Sequence, residues 1–257
     1  MGRDGNRLWD KMFDRRVMRR WNKVAQQANT ANFSALKRDR TRAKILRGYL
    51  DRVIFQADDR LTMVQQSRNL RTVPHTTDWD WDPDLWRGAL SVPGYANAEN
   101  ASKLCDDVTL FHDCPLREIT LRQVRNKNVD VCAPFGLNLE VFDFKGTFLS
   151  VVIDLPLSVI QGLSRAHIIR MDTLVQLERP MKIHARLNVK NGPNADQVMV
   201  EMDLQGDTHS AEFDLAYAGL NEKRMEKAWV DLFFEQPAMN HVTLQDMTFS
   251  RHLRAAL

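Results

Sequence analysis

Cys105, His112, Cys114 and Cys132 are the residue types that hold zinc as thiolates and imidazole. Their spacing argues against it: the nearest cysteines are nine residues apart and no Cys-x-x-Cys occurs. His112 and Cys114, two apart on an extended segment, share a strand face, which is the one geometric point in favour. A nucleophilic cysteine needs a thiol of low pKa beside a base. His112-Asp113-Cys114 supplies the types, but neighbours on a strand point to opposite faces. There is no Gly-x-Ser-x-Gly, no P-loop and no Gly-rich dinucleotide turn. These patterns predict no catalytic residue, no metal site and no cofactor. An enzyme reading, the alternative, places chemistry near His112, Cys114 and His184.

Binding chemistry is easier to place. Met181–Val189 alternates, with Ile183, Ala185, Leu187 and Val189 on one face and Lys182, His184, Arg186 and Asn188 on the other. That row of donors and acceptors suits a polyhydroxylated or anionic ligand, and it equally suits the water-facing side of a sheet. The segment Asp78–Trp86, DWDWDPDLW, packs three Trp and four Asp into nine residues. Alternating Asp resembles the first half of a calcium loop, but Pro83 stands where such a loop needs Gly and Ala89 where it needs Glu. Trp79, Trp81 and Trp86 then either anchor an irregular segment on a sheet, with Asp capping turns, or form a flat platform for pyranose rings.

The elements that must position these residues are mostly strands. Pro134–Pro156 reads as a hairpin: Leu137, Leu139 and Val141 alternate with polar residues, Asp143-Phe144-Lys145-Gly146 supplies a turn, and Phe148–Ile153 is almost continuously apolar. So apolar a return strand belongs inside a sheet, as core rather than site. Further strands are predicted over 108–111, 119–124, 167–177, 181–189, 198–202, 212–217, 227–234 and 241–249, with a turn at Asn191-Gly192. About ten close-spaced strands with little helix between them predict an antiparallel sandwich.

Two helices precede them. Over 5–28, Trp9, Met12, Phe13, Val17, Trp21 and Val24 form one stripe, flanked by Arg15, Arg16, Arg19, Arg20 and Lys23. A second helix over 34–57 takes Ser34 as N-cap, and Gly48 weakens its middle. Residues 1–60 hold sixteen Lys and Arg against seven Asp and Glu, a balance of +9; the rest of the chain balances at −6. A basic arm on an acidic body is drawn to polyanions through the arm. Its first helix packs on the body with a solvated basic outer face, or it lies on an anionic membrane through Trp9, Phe13, Arg15, Arg16, Arg19, Arg20, Trp21 and Lys23, or, less favoured, it follows nucleic-acid phosphates. No window of 18 apolar residues exists and the Arg-rich start lacks a signal peptide's apolar region. Asn6 stands where a myristoylation motif needs Ser or Thr. With few cysteines, the expected location is the cytoplasm, peripheral at the inner membrane if the arm is a tether.

The closing segment AWVDLFFEQPAMNHVTLQDMTFS resembles the last two strands of jelly-roll carbohydrate-binding modules. FHDC at 111–114, APFGL at 133–137, FLSVVIDLP at 148–156, ARLNVKNGPN at 185–194 and DLAYAGLNEKR at 214–224 resemble an alphaproteobacterial family of unknown function. That resemblance implies no activity or site. The expectation is a mainly β protein: a basic helical arm over 1–60, a Trp/Asp/Pro-rich connector over 61–105, and a jelly-roll-like antiparallel β-sandwich over 106–257. Its expected role is non-enzymatic recognition of a ligand or partner protein, with a glycan as one candidate. The expected ligand residues are Trp79, Trp81, Trp86, Lys182, His184, Arg186 and Asn188.

Overall fold

The computed structural model describes residues 4–66, 76–126, 131–206, 209–222 and 224–254; the side chains of 4–14 and, Val53 apart, of 51–66 lie outside that description. In chain order the elements are α1 (Asp4–Gln27), α2 (Phe33–Gln66), β1 (Thr77–Trp81), α3 (Asp84–Arg87), β2 (Gly94–Tyr95), β3 (Ser102–Lys103), β4 (Val108–His112), β5 (Ile119–Arg125), β6 (Phe135–Val141), β7 (Leu149–Asp154), β8 (His167–Leu177), β9 (Ile183–Asn191), β10 (Asn194–Glu201), β11 (His209–Asp214), β12 (Met225–Phe234) and β13 (Asn240–Leu253). Contacts divide the chain into two compact units, 1–56 and 57–257.

The first unit is helical. Two backbone bonds to Gln27 O, from Thr30 and Ala31, end α1, and Asn32 starts α2. The cap is Asn32 rather than the expected Ser34: its Oδ1 accepts from Ala35 N at 2.8 Å, and the Ser34 hydroxyl donates to that same oxygen. Gly48 does not interrupt the helix, which runs on to Gln66. Trp21 and Val24 on α1, and Ala35, Asp39, Ala43 and Leu46 on α2, are half-buried stripes at helical spacing.

The second unit is an antiparallel, jelly-roll-like sandwich. One sheet orders β11-β8-β13-β6-β5-β2, with β1 also on β13, and the other orders β10-β9-β12-β7-β4-β3. Period-two residues from both fill one core: Leu137, Leu139 and Val141 of β6, Leu149, Val151 and Ile153 of β7, and Val230 and Leu232 of β12. Residues 77–103, expected as an irregular connector, supply three short strands and a helical turn to this body.

The expected hairpin of Pro134–Pro156 is an arch. β6 lies between β13 and β5 in one sheet, and β7 between β12 and β4 in the other. The two apolar rows thus face each other across the core instead of lying side by side. Gly146 misleads as a turn signal: it is absent from the positive-φ glycines, and its missing Cβ instead admits the Asp113 carboxylate and Cys114 N. Asp113 organises the crossing. Its carboxylate accepts from the Thr147 hydroxyl at 2.6 Å, Thr147 N at 2.7 Å and Phe148 N at 3.2 Å. These bonds, the Thr147 hydroxyl first, hold its carboxyl below the usual range. Replacing Asp113 by alanine is expected to speed hydrogen exchange at the Thr147 and Phe148 amides about tenfold or more; unchanged exchange there would remove Asp113 from this role.

Candidate ligand-binding face

Strands β9, β12, β7 and β4 lie side by side, and their registers decide which side chains meet. Arg186 is opposite Asp231, Asp231 opposite Val152, and Val152 opposite Thr109. One residue pair along, His184, Phe233, Ser150 and Phe111 form the next row, and on the other side Asn188, Trp229 and Asp154 form a third. These rows alternate with the core residues, so they cover the outer face of the six-stranded sheet. Two adjoining hollows lie on it. One, of about 570 Å³, is floored by Arg186, Trp229, Asp231, Val152 and Asp154. The other, of about 800 Å³, lies between the 144–149 and 235–238 segments and is lined by Phe144, Phe148, His184, Met199, Phe233 and Pro237. They share Phe148 and Phe233 and so form one groove, charged at one end and apolar at the other.

The groove floor carries a fixed polar network. Asp231 is buried, and its Oδ2 accepts from Arg186 Nη2 at 2.6 Å, Arg186 Nε at 2.9 Å and Asn188 Nδ2 at 3.0 Å. Among the described residues, Asp231 Oδ1 accepts no hydrogen bond and Arg186 Nη1 donates none. The pair holds both groups in place, and Arg186 and Asp231 both line the groove. The Arg186 guanidinium also stacks on the Phe233 ring at 4.6 Å, and Lys227 Nζ lies 5.6 Å from the Trp229 ring while bonding Asp154 at 2.7 Å. His184 Nε2 pairs with Glu235 at 2.8 Å.

The residues expected on one face of β9 separate by role. His184 and Arg186 line the groove. Asn188 is 1% exposed and lies beneath it as a support, its Oδ1 buried without a hydrogen-bond partner. Lys182 does not line the groove; it pairs with exposed Glu201 at 2.9 Å, which raises the Lys182 pKa and lowers that of Glu201. The three expected Trp lie elsewhere. Trp86 is 1% exposed in the core, with Nε1 bonded to Leu244 O at 3.0 Å. Trp79 and Trp81 belong to β1 on the opposite sheet, half-buried; Trp79 Nε1 donates to Ser158 Oγ and Trp81 packs on Phe249. They share no surface with His184 and Arg186. β7, expected to be core only, gives its inner row to the core and Ser150, Val152 and Asp154 to the groove.

Trp229, Asp231, Phe233 and Phe111 are the groove residues that the sequence reading passed over. The signal was present: Lys227, Trp229, Asp231 and Phe233 alternate with Ala228, Val230, Leu232 and Phe234.

The thiol and imidazole groups near 112 are engaged internally. His112 Nδ1 accepts from Cys114 N at 3.2 Å and Nε2 faces Ala98 O at 3.0 Å, so Nε2 carries the proton. Cys114 Sγ accepts from Lys145 N. Burial, with Asp107 beside it, pushes the Cys105 thiol up to about 12, away from the nucleophilic thiolate. Cys132 is half-buried and in no disulfide. Neither His112 nor Cys114 lines the groove that His184 lines. Among the described residues no three His, Cys, Asp or Glu side chains come together as a metal site.

Compared with known proteins, residues 1–257 match the model of a family described as "Family of unknown function (DUF6478)". The chain belongs to this family. No curated protein matches the DUF6478 chain. Among solved structures it is similar to the enzymatically active domain of bacteriophage CBA120 tailspike protein 4, at 8% identity and a TM-score of 0.42, covering 63% of this chain and 22% of that one. It is similar to the xylohexaose-complexed modules of Clostridium thermocellum endo-1,4-beta-D-xylanase 10B, at 8% identity and a TM-score of 0.37, covering 65% and 30%. A third is the family 11 carbohydrate-binding module of Clostridium thermocellum in complex with a mixed-linked tetrasaccharide, at 8% identity and a TM-score of 0.37, covering 63% and 97%. The chain thus spans about a fifth to a third of the first two.

Proposed function

We propose that the outer face of the six-stranded sheet binds a glycan without transforming it. The observation that carries this reading is the Arg186–Asp231 pair set between Trp229 and Phe233. A sugar ring offers an apolar C–H face and a rim of hydroxyls that both donate and accept. Half-buried indole and phenyl rings receive such a face, since they give apolar area without losing many rotamers. The spare Asp231 Oδ1 and Arg186 Nη1 match the acceptor and donor needs of neighbouring hydroxyls. Because the ion pair and Asn188 already fix both groups, little ordering is left to offset binding. The groove volume of about 800 Å³ with a further 570 Å³ suits an oligosaccharide rather than a single ring.

The test is a glycan array followed by affinity electrophoresis in soluble polysaccharides. The full chain should be retarded by at least one glycan. Trp229→Ala should weaken that binding about tenfold or more, as expected from losing a stacking surface worth over 1 kcal/mol. Trp79→Phe, on the other sheet, should bind as the parent does. Binding that survives Trp229→Ala unchanged, or an array with no bound glycan, would sink the proposal.

A further inference from the structure

The helical unit presents a second surface, independent of the groove. Over residues 15–50 there are eleven Lys and Arg and one acidic residue, Asp39. Arg15, Arg16, Arg19, Arg20 and Lys23 are exposed and fall on one side of α1 at 100° per residue. Cations alone would suit any polyanion. Large apolar side chains are exposed among them: Met18 is 71% exposed, Phe33 91%, Ile45 57% and Tyr49 61%. The phosphates of a nucleic-acid duplex would take the cations and leave the aliphatic area of Met18 and Ile45 unused. A bilayer interface uses both, taking apolar side chains into the acyl boundary and cations to the headgroup phosphates.

We propose that this helical unit docks on an anionic lipid bilayer through the α2 face that carries Arg38, Arg42, Ile45, Tyr49 and Val53. These five residues fall within about 80° around the helix axis at 100° per residue, and all are exposed. The geometry shifts the expected contact away from Trp21, which is half-buried on a stripe with Val24. Trp9 and Phe13, the other two aromatic residues expected to insert, lie outside the described side chains. Among the described residues no helix is long and apolar enough to cross a membrane.

Sedimentation of the full chain with vesicles tests this. Vesicles of mixed phosphatidylcholine and phosphatidylglycerol should pellet the protein at low salt, and pure phosphatidylcholine vesicles should bind it at least tenfold more weakly. High salt should release it. Two double variants, Arg38→Gln with Arg42→Gln and Ile45→Ser with Tyr49→Ser, should each weaken partition about tenfold or more while leaving the circular dichroism of the chain unchanged. Equal pelleting with both lipids, or wild-type partition by both double variants, overturns the proposal. So does binding to duplex DNA, or self-association sensitive to the Ile45/Tyr49 change, in the absence of vesicle binding. Because the groove variants leave this surface intact, a failed glycan test and a failed vesicle test are separate results.

Discussion

Trp86→Ala is expected to cost the sandwich about 3–5 kcal/mol, measured by urea unfolding. The side chain is fully enclosed, so its removal leaves a cavity that neighbouring strands cannot fill by small shifts. A second loss adds to the first. Along one edge, β13 pairs with β6 from Asn240 to Leu244 and with β1 only from Phe249 onward. Where the β6 pairing ends, Leu244 O is satisfied by the Trp86 indole at 3.0 Å and Gln245 O by Asn126 Nδ2 at 2.7 Å. Truncating Trp86 leaves a buried carbonyl unpaired, a cost of about 1–3 kcal/mol that Trp86→Phe isolates while retaining most of the ring volume. Trp229→Ala removes a half-buried ring over open space and should cost less than Trp86→Ala. Equal destabilisation by the two would contradict the assignment of one to the core and the other to the groove.

Arg251→Met should destabilise by about 3 kcal/mol near neutral pH, and the deficit should narrow in acid. Arg251 is 5% exposed and ties two other segments of the chain to β13. Its Nε and Nη2 donate to both oxygens of Asp78 at 2.9 and 2.8 Å, and its Nη1 donates to Val159 O at 2.6 Å and Gln161 O at 2.8 Å. Methionine fills the volume but satisfies none of these acceptors. Asp78 is part-exposed and recovers some hydration, which keeps the cost below that of severing a fully buried pair. The hydrogen bond from Arg251 holds the Asp78 carboxyl below its ordinary value of 3.8. A carboxyl so depressed binds protons more readily in the unfolded chain. Its contribution is therefore present above about pH 4 and is lost as pH falls through the folded value. The gap in urea midpoints between wild type and variant should narrow as pH falls below about 4, the two carbonyl bonds of Nη1 keeping part of it, and parallel curves down to the acid limit would show that the ion pair is not what Arg251 supplies.

The strands were legible because their inner rows repeat every second residue: Ile183, Ala185, Leu187 and Val189 identify β9, and its polar row already held His184 and Arg186. Sheet membership was not legible. Nothing within Pro134–Pro156 says that β6 will pair with β13, about a hundred residues later, rather than with β7. The short β1, β2 and β3 escaped because two to five residues carry too little pattern. The aromatics misled for a related reason. Trp79, Trp81 and Trp86 stand out by density, Trp229 does not, yet burial is decided by the strands laid over a residue. The partnership of Arg186 with Asp231 links positions 45 apart and needs the β9–β12 register to be seen.

The place of β13 sets a condition on synthesis. It follows all of its partners in the chain, yet it adjoins β1, β6 and β8 in the middle of its sheet. Until it emerges, those three strands have open edges and the cavity around Trp86 has no lid. Strands β1, β6 and β8 are therefore expected to carry open, aggregation-prone edges until β13 pairs with them.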